Sequence, residues 1–365
     1  MLDSVAQILA VLALANERLE IDVEVEALAE SLESKGVRPM DAVHSALARL
    51  LAVSAAALFA SAAGAQAWPN KPVRLVVPFV PGGAADIVAR LLSVRFQEVF
   101  GQPFLVENRG GANGNIGADA VAKAPNDGSA FLLADLGTFT SGPAVTPNLP
   151  FDPVSDFTPV SGVIVSPYGL AVTPSLPVAN LRELLDYAKR NPGTFNYAML
   201  GQGSASHLAG VELASRSGVP MTFVPYKGGA PALADVAAGQ SQALAVAMLS
   251  TYPFVRGGKL KLVAVMSRDR MSALPEVPTV SESGYPGFVH GQYQALYGPK
   301  GLPREIAERL RAETARYLSQ PEMRKRFIDQ GAEVNLMSPE ELSRFVADER
   351  AKFANLVKEH NIKAE

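Results

Sequence analysis

The chain is organised around residues 73–86, which read VRLVVPFVPGGAAD. The valine-rich beginning is typical of a buried strand, and two prolines end that strand because proline has no N–H for a strand ladder. Gly82 and Gly83 allow a sharp turn, and apolar residues recur at helical spacing after Asp86. A strand that leads through a glycine loop into a helix directs free backbone N–H groups at one point, where an anion is favoured.

The helix predicted after this loop covers residues 86–100, with Asp86 as its N-cap and Gly101 as its C-terminal stop. The loop has two interpretations: an ordinary strand-to-helix turn of an α/β protein, or a site for an anion. The dinucleotide pattern G-x-G-x-x-G and the phosphate loop that ends in Gly-Lys-Ser/Thr are both absent from it. A carboxylate therefore fits the loop better than a nucleotide.

The composition of the chain excludes several classes of protein. Its 365 residues are 48% hydrophobic and 19% charged, as in an ordinary globular protein with room for two domains. There is no cysteine, which excludes disulfides, thiol nucleophiles, thiolate zinc sites and lipid attachment through cysteine. The four histidines have no metal-ligand spacing. We expect no metal site, no cofactor and no nucleic-acid partner.

Residues 40–67 resemble a secretory signal peptide. Arg49 provides a positive flank, and residues 50–59 are apolar but shorter than the roughly 20 residues that span a bilayer. Residues 65–67 (AQA) form a small-x-small cleavage site directly before Trp68. An amphipathic helix of the mature protein is the alternative interpretation. We predict a cleaved signal peptide and a mature protein that begins at Trp68 in the periplasm.

Residues 1–39 belong neither to the predicted signal peptide nor to the predicted mature protein. They contain eight acids and three bases, and Met40 is a natural start for the signal peptide. We interpret them as a mis-annotated N-terminal extension, produced by a start site placed too far upstream; a genuine extension is the alternative. Without residues 1–67 the net charge changes from −3 to +2, which is compatible with anionic ligands.

From Trp68 onward, short apolar runs alternate with helical patterns. The predicted strands are 74–77, 104–107, 131–134, 170–172, 195–198, 222–224, 244–247, 262–266 and 293–297. The predicted helices are 86–100, 115–123, 181–190, 206–217, 231–238, 304–318, 322–330 and 339–360. This alternation is typical of parallel sheets covered by helices, and its length predicts two α/β lobes with a cleft between them.

A series of motifs resembles one family, the Bug family of periplasmic substrate-binding receptors of tripartite tricarboxylate transporters. The motifs are WPNKP (68–72), VVPF (76–79), ENRGGA (107–112), GNIG (114–117), APNDG (124–128), LPFDP (149–153), SHLAG (206–210), VPYKG (224–228), LPEVPT (274–279) and GPKGLP (298–303). The resemblance runs in order along residues 68–365 and covers none of residues 1–39.

The resemblance implies a type II periplasmic binding protein fold, in which two α/β lobes close like a Venus flytrap on a small carboxylate-bearing ligand. It implies a first lobe of residues 68–168 with 288–365, and a second lobe of residues 169–287. It further implies a monomeric receptor, without enzymatic activity, that delivers its ligand to the membrane carrier of a transporter. A ligand sensor that docks to a membrane kinase is an alternative. An α/β hydrolase is another, but the G-x-S-x-G elbow of such enzymes is absent.

The ligand-binding residues implied by the resemblance come from both lobes. They are Phe79, Val80, Gly82, Gly83, Ala84, Asp86, Asp135, Thr138, Gly203, Ser204, Ala205 and Tyr226. Several of them have a structural interpretation as well. Asp86 and Asn115 are expected to cap helices, and residues 201–206 either cap the following helix or bind an anion. His207 follows Ser204 by three residues, but no acid orients it, so we expect it to pack inside its lobe.

This chain departs from the family at two places near the expected cleft. Asp135 stands where members usually have a small hydroxyl residue, and Val246 with Ala247 replaces a common polar pair. An acid at position 135 would repel a second ligand carboxylate and attract an ammonium or hydroxyl group. The alternative is that Asp135 caps the following turn and never contacts the ligand.

Overall fold

Coordinates from the computed structural model describe residues 68–146, 148–360 and 362. Residues 1–39 and the predicted signal peptide at residues 40–67, with its cleavage site, lie outside the described residues. The described residues from Trp68 onward form one compact unit. Within the described part, no helix combines the length and the apolar character that a membrane crossing requires.

The described strands pair into one continuous sheet. They are β1 (Val73–Val77), β2 (Phe104–Asn108), β3 (Ala130–Asp135), β4 (Phe157–Val172), β5 (Asn196–Met199), β6 (Thr222–Pro225), β7 (Ala243–Ala247), β8 (Lys261–Val265), β9 (Gly291–Pro299) and β10 (Glu333–Val334). The strand order is β2-β1-β3-β9-β4-β7-β5-β6, and β8 and β10 also pair with β4.

Helices cover this sheet. They are α1 (Ala84–Phe100), α2 (Asn115–Ala122), α3 (Ser141–Val145), α4 (Leu181–Arg190), α5 (Ala205–Ser217), α6 (Gly229–Ala237), α7 (Met248–Arg256), α8 (Arg304–Leu318), α9 (Pro321–Ile328) and α10 (Pro339–Glu359). Every predicted helix is present within two residues of its expected bounds. The sequence did not predict α3 or α7, because α3 has only five residues and α7 contains Pro253.

Strand β4 joins two halves of the sheet. Strands β1, β2 and β3 are parallel on one side, and β5, β6 and β7 are parallel on the other. From Phe157 to Pro167, β4 pairs antiparallel with β9; from Tyr168 to Val172 it pairs antiparallel with β7. This confirms the expected two-lobe α/β architecture. The sequence predicted only the last residues of β4, because prolines and glycines interrupt the apolar pattern of its 16 residues.

Helix α1 attaches the glycine loop firmly to the first half of the sheet. Its side chains Val88, Leu92 and Phe96 are fully buried. Burying side chains of this kind is worth about 1.5–3 kcal/mol each. The helix ends as predicted at Gly101, whose left-handed φ of 71° suits glycine. The N-terminus of α1 therefore has a fixed position at the end of β1.

Candidate ligand-binding site

A small cavity lies where the ends of β1 and β7 meet the N-termini of three helices. We call it the inner cavity, and it is lined by Phe79, Gly83, Ala84, Ala85, Asp86, Leu200, Gly229, Val246, Ala247, Ser250 and Gln292. The space open to the centre of a water molecule is about 20 Å³. This is close to the minimum that holds one water, and residues from both halves of the sheet line the cavity.

The N-termini at the inner cavity belong to α1, α6 and α7. Their N-caps are Gly83, Gly228 and Ala247, and none makes a side-chain capping hydrogen bond. The first N–H groups of a helix have no partner inside that helix, and the helix dipole adds partial positive charge there. One of these groups, the N–H of Leu249, donates to Ser166 Oγ at 3.0 Å. The others make the inner cavity favourable for an anion.

The prediction that Asp86 is the N-cap of α1 is wrong. The helix begins two residues earlier, and Gly83 is its N-cap. The Asp86 carboxylate instead accepts hydrogen bonds from Gly82 N–H at 3.0 Å, Arg90 Nε at 2.9 Å and Asn108 Nδ2 at 3.0 Å. Burial raises the pKa of Asp86, but these hydrogen bonds outweigh it and hold the pKa below its ordinary value. An ionised Asp86 therefore stabilises the glycine loop.

The two glycines of this loop have different roles. Gly82 has a φ of 86°, which strains other residues, and a Cβ there would lie 3.3 Å from the Cβ of Ala230. Gly83 has an ordinary φ of −80°, and the nearest atom to a Cβ there would be Val80 O at 3.9 Å. Gly82 is therefore needed for the turn. Gly83 keeps space in the cavity and has no special backbone angle.

At the second glycine loop, residues 201–206, backbone N–H groups already donate to side chains of the same loop and of the helix that follows it. Ser204 caps α5, since its Oγ accepts from His207 N–H at 3.1 Å. His207 Nδ1 accepts from Gly203 N–H at 3.0 Å, and burial lowers the pKa of His207 to about 4. The ring also packs edge-on against Phe223, with a centroid distance of 5.0 Å. The expected packing of His207 inside its lobe is confirmed. Of the two roles considered for residues 201–206, helix capping and anion binding, Ser204 has the capping role.

Asp135 ends β3 and caps the 3₁₀ helix Leu136–Thr138. Its Oδ1 accepts from Gly137 N–H at 3.0 Å, and its Oδ2 accepts from Gln292 Nε2 at 2.7 Å. The capping role expected for Asp135 is therefore confirmed, and whether its carboxylate contacts the ligand stays a prediction. Burial raises the pKa of Asp135 to about 6, and the two hydrogen bonds oppose this only in part.

A larger cavity lies on the other side of the Asp135–Gln292 hydrogen bond. We call it the outer cavity; it offers about 260 Å³ to the centres of water molecules. Its lining includes charged side chains of both signs, namely Asp135, Arg268, Glu349 and Lys352. Of the predicted site residues, Asp135 and Ala205 lie here, whereas Phe79, Gly83, Ala84 and Asp86 line the inner cavity.

The other predicted site residues line neither cavity. Val80 packs against Gly228, and Gly203 packs against Val145. Thr138 Oγ1 donates to Asn113 O at 3.4 Å, and the Tyr226 hydroxyl bonds to Asp235 and Ser241.

The capping role expected for Asn115 is also wrong. Gly114 is the N-cap of α2, because Gly114 takes the left-handed φ of 91° with which the chain enters the helix. The Asn115 side chain makes no capping hydrogen bond there, and its buried Oδ1 has no partner among the described residues.

Sequence reasoning missed Gly229, Ser250 and Gln292. The pair Gly228–Gly229 before an apolar helical pattern could have identified the N-terminus of α6. Gln292 gave no local signal, because its position depends on how β9 pairs with β3 and β4.

Comparison with known proteins defines the class of this molecule. The family model described as the tripartite tricarboxylate transporter family receptor, TctC, matches residues 88–362. Protein BugT of Bordetella pertussis (strain Tohama I) is 35% identical over 322 residues, which cover 87% of this chain and 99% of BugT.

Solved structures agree with this match. A protein of R. palustris solved with adipate is 35% identical, with a TM-score of 0.80 over 82% of this chain and 100% of that chain. MatC from Rhodopseudomonas palustris with bound malate is 34% identical, with a TM-score of 0.75 over 80% of this chain and 100% of MatC.

The fold is that of a periplasmic binding protein, and the class is a solute-binding receptor rather than an enzyme. The chain belongs to the tripartite tricarboxylate transporter receptor family.

Proposed function

We propose that this receptor captures a small carboxylate-bearing metabolite in the inner cavity and delivers it to the membrane carrier of a tripartite transporter. The observation that carries the proposal is the convergence of three helix N-termini without side-chain caps on one cavity. The structures of relatives with adipate and malate, both carboxylates, support the same ligand class.

The ligand carboxylate is held by backbone N–H groups rather than by a cationic side chain. Among the described residues that line the inner cavity there is no lysine or arginine. Hydrogen bonds to a charged group are worth about 1.5–3 kcal/mol each, so a few N–H donors suffice for a small anion. Asp86 holds the loop in place before the ligand arrives, which reduces the cost of ordering the site.

Ligand binding and lobe closure are coupled in this proposal. We assign residues 68–168 with 288–365 to the first lobe and residues 169–287 to the second; the change of partner along β4 at Pro167 and Tyr168 supports these bounds. The inner cavity takes α1 from the first lobe and α6 with α7 from the second. A ligand that contacts both lobes favours the closed state, which the carrier can then recognise.

We further propose that the mature receptor begins at Trp68 and is a monomer in the periplasm. Trp68 Nε1 donates to Gly128 O at 2.8 Å, and its ring packs against Phe100, Phe104 and Phe131. Trp68 thus belongs to the folded unit. N-terminal sequencing and gel filtration of the periplasmic protein test this; an intact Met1 or a stable dimer would contradict it.

Native mass spectrometry of the protein purified from periplasm tests the function. We expect a small carboxylate that is retained and lost on denaturation, and calorimetry with that compound should show one site per chain. Co-purification from membranes should recover the carrier subunits. Recovery of a membrane kinase instead would assign the receptor to sensing, and turnover of the bound compound would contradict a receptor function.

A further inference from the structure

The Gln292 side chain lies between the two cavities and has one fixed orientation. It lines the inner cavity and is 8% exposed. Its Nε2 donates to Asp135 Oδ2 at 2.7 Å. An ionised carboxylate only accepts hydrogen bonds, so the amide nitrogen of Gln292 must face Asp135 and the carbonyl oxygen must face away from it.

The hydrogen bonds of the Asp135 carboxylate keep the Gln292 amide in this orientation. Its other oxygen, Oδ1, accepts from Gly137 N–H at 3.0 Å, so the carboxylate is held by the 3₁₀ helix that it caps. Rotation of the carboxylate would leave that N–H or the Gln292 amide without a partner in a buried place, which is costly. Asp135 is therefore a positioning residue that acts through Gln292.

The group that Gln292 offers to a molecule in the inner cavity is its carbonyl oxygen. Among the described residues, Oε1 accepts no hydrogen bond and is not fully shielded from solvent, and the residue lines the inner cavity. The nearby helix N-termini supply donors, and Leu200, Val246 and Ala247 supply an apolar wall. The inner cavity thus combines donors for a carboxylate, a surface for hydrocarbon and the Gln292 carbonyl oxygen as an acceptor, beside the Ser250 hydroxyl and the Asp86 carboxylate, which already accepts three hydrogen bonds.

We propose that Gln292 is a specificity-determining residue that selects carboxylates carrying a hydroxyl or ammonium donor close to the carboxylate, on the α or β carbon. This inference rests on the proposed capture of a carboxylate in the same cavity. Gln292 lines the same cavity as the N-termini of α1, α6 and α7, so a ligand group that reaches Oε1 lies close to a carboxylate bound there. A site built around a buried acceptor discriminates strongly against a ligand that leaves the acceptor unpaired.

Matched ligand pairs test this inference by isothermal calorimetry on the mature protein. The panel contains malate against succinate, lactate against propionate, and aspartate against succinate. We expect the donor-bearing member of at least one pair to bind at least about tenfold more tightly than its partner. Equal affinities within the pairs, or tighter binding of the unsubstituted acids, would overturn the inference and leave the carboxylate function intact. If no acid of the panel binds, the retained carboxylate found by native mass spectrometry is compared with its analogue that lacks the hydroxyl or ammonium group; a retained carboxylate without such a group would overturn the inference, whereas the absence of any retained carboxylate would overturn the proposed function.

Three variants assign the selectivity to its residues. Gln292→Met keeps the length of the side chain but removes the acceptor, so the ratio of affinities within a pair should fall to about one. Asp135→Asn frees the Gln292 amide to turn, so it should reduce the ratio while the unsubstituted acid still binds. Gln294→Met is the matched control, because Gln294 is fully buried on the same face of β9, does not line the inner cavity, and has no hydrogen-bond partner among the described residues.

The ratio of affinities within a ligand pair distinguishes a role in specificity from a purely structural role of Gln292 or Asp135. A purely structural effect of Gln292→Met or Asp135→Asn would weaken both members of a pair equally and would overturn the proposal. Undiminished selectivity in Gln292→Met would also overturn it. The control Gln294→Met should keep the ratio of the parent protein, and thermal unfolding of each variant verifies that it is folded.

Discussion

Two glycine loops of this protein look alike in sequence and differ in what they leave free. Residues 80–86 and residues 201–206 each lead from a strand end into a helix. At the first loop the N-cap is Gly83, which has no side chain to satisfy the N–H groups of α1. At the second loop Ser204 and His207 already accept from the loop and the helix. A glycine loop therefore predicts the turn, whereas the capping side chain decides whether an anion finds open donors.

In the second lobe, the N–H donors without a capping side chain lie at the N-termini of two other helices, α6 and α7. The N-caps of α6 and α7 are Gly228 and Ala247, and neither makes a side-chain capping hydrogen bond. The comparison thus predicts that substitutions in the first loop change affinity, whereas those in the second loop change mainly stability or closure.

The largest effect is expected for Gly83→Val. The branched side chain would fill an inner cavity of about 20 Å³ and exclude the carboxylate. We expect a loss of binding by at least about 100-fold, equal to two or more charge-assisted hydrogen bonds. The unfolding temperature should change little, because the φ of −80° accepts valine. Calorimetry with the retained ligand is the measurement. Gly83→Ala is the graded control with a smaller loss, and unchanged affinity in folded Gly83→Val would place the carboxylate elsewhere.

A second substitution tests Asp135, the carboxylate that caps the 3₁₀ helix Leu136–Thr138. Its pKa of about 6 lies above the ordinary value of 3.8, so the folded protein binds more protons than the unfolded chain between about pH 4 and 6. Ionised Asp135 therefore destabilises the fold by up to about 3 kcal/mol above pH 6, and this penalty disappears as the pH falls to 4.

Asp135→Asn keeps an acceptor for Gly137 and removes the charge. Urea unfolding should show the variant to be more stable than the parent at pH 7.5, with the difference shrinking toward pH 4.5. Comparing the two proteins at each pH cancels the titration of the other acids. A difference in the free energy of unfolding that stays constant with pH would show that ionisation of Asp135 does not destabilise the fold.

Closure of the lobes is tested by Gly203→Ala. Gly203 has a φ of 68°, and a Cβ there would lie 1.8 Å from Val145 Cγ2. Overpacking of this kind costs about 1–3 kcal/mol, so we expect affinity to fall about tenfold because the closed state is disfavoured. The double variant Gly203→Ala with Val145→Ala removes the clash and should recover part of the affinity. No recovery would mean that strain within the loop, not the contact, causes the loss.

The smallest effect is expected for Ser204→Ala. Loss of an N-cap costs about 0.5–2 kcal/mol of stability, which chemical denaturation measures directly. Affinity for the ligand should stay within about twofold, because the N–H groups of this loop serve the capping network. A large loss of affinity with normal stability would contradict this and would indicate that the loop binds the ligand anion.

Local patterns in the sequence predicted most of the fold but only part of the site. Apolar periodicity and glycine stops predicted the helices: α1 and α4 bury apolar stripes, and α1 and α5 end at Gly101 and Gly218. The short α3 and the 16-residue β4 escaped, because Pro and Gly interrupt their patterns while tertiary pairing holds them in place. Gln292 is a functional candidate only through its contact with Asp135, 157 positions away in sequence. No local pattern reports such a contact.

We propose that helix N-termini bind the ligand carboxylate at the inner cavity. A crystal structure of the periplasmic protein with its retained ligand tests this most directly. We expect carboxylate oxygens about 3 Å from the backbone nitrogens of Ala84 and Ala85, with donors from α6 or α7 on the opposite side. A carboxylate bound instead to Arg268 or Lys352 in the outer cavity, with the N–H groups of α1 unused, would contradict it.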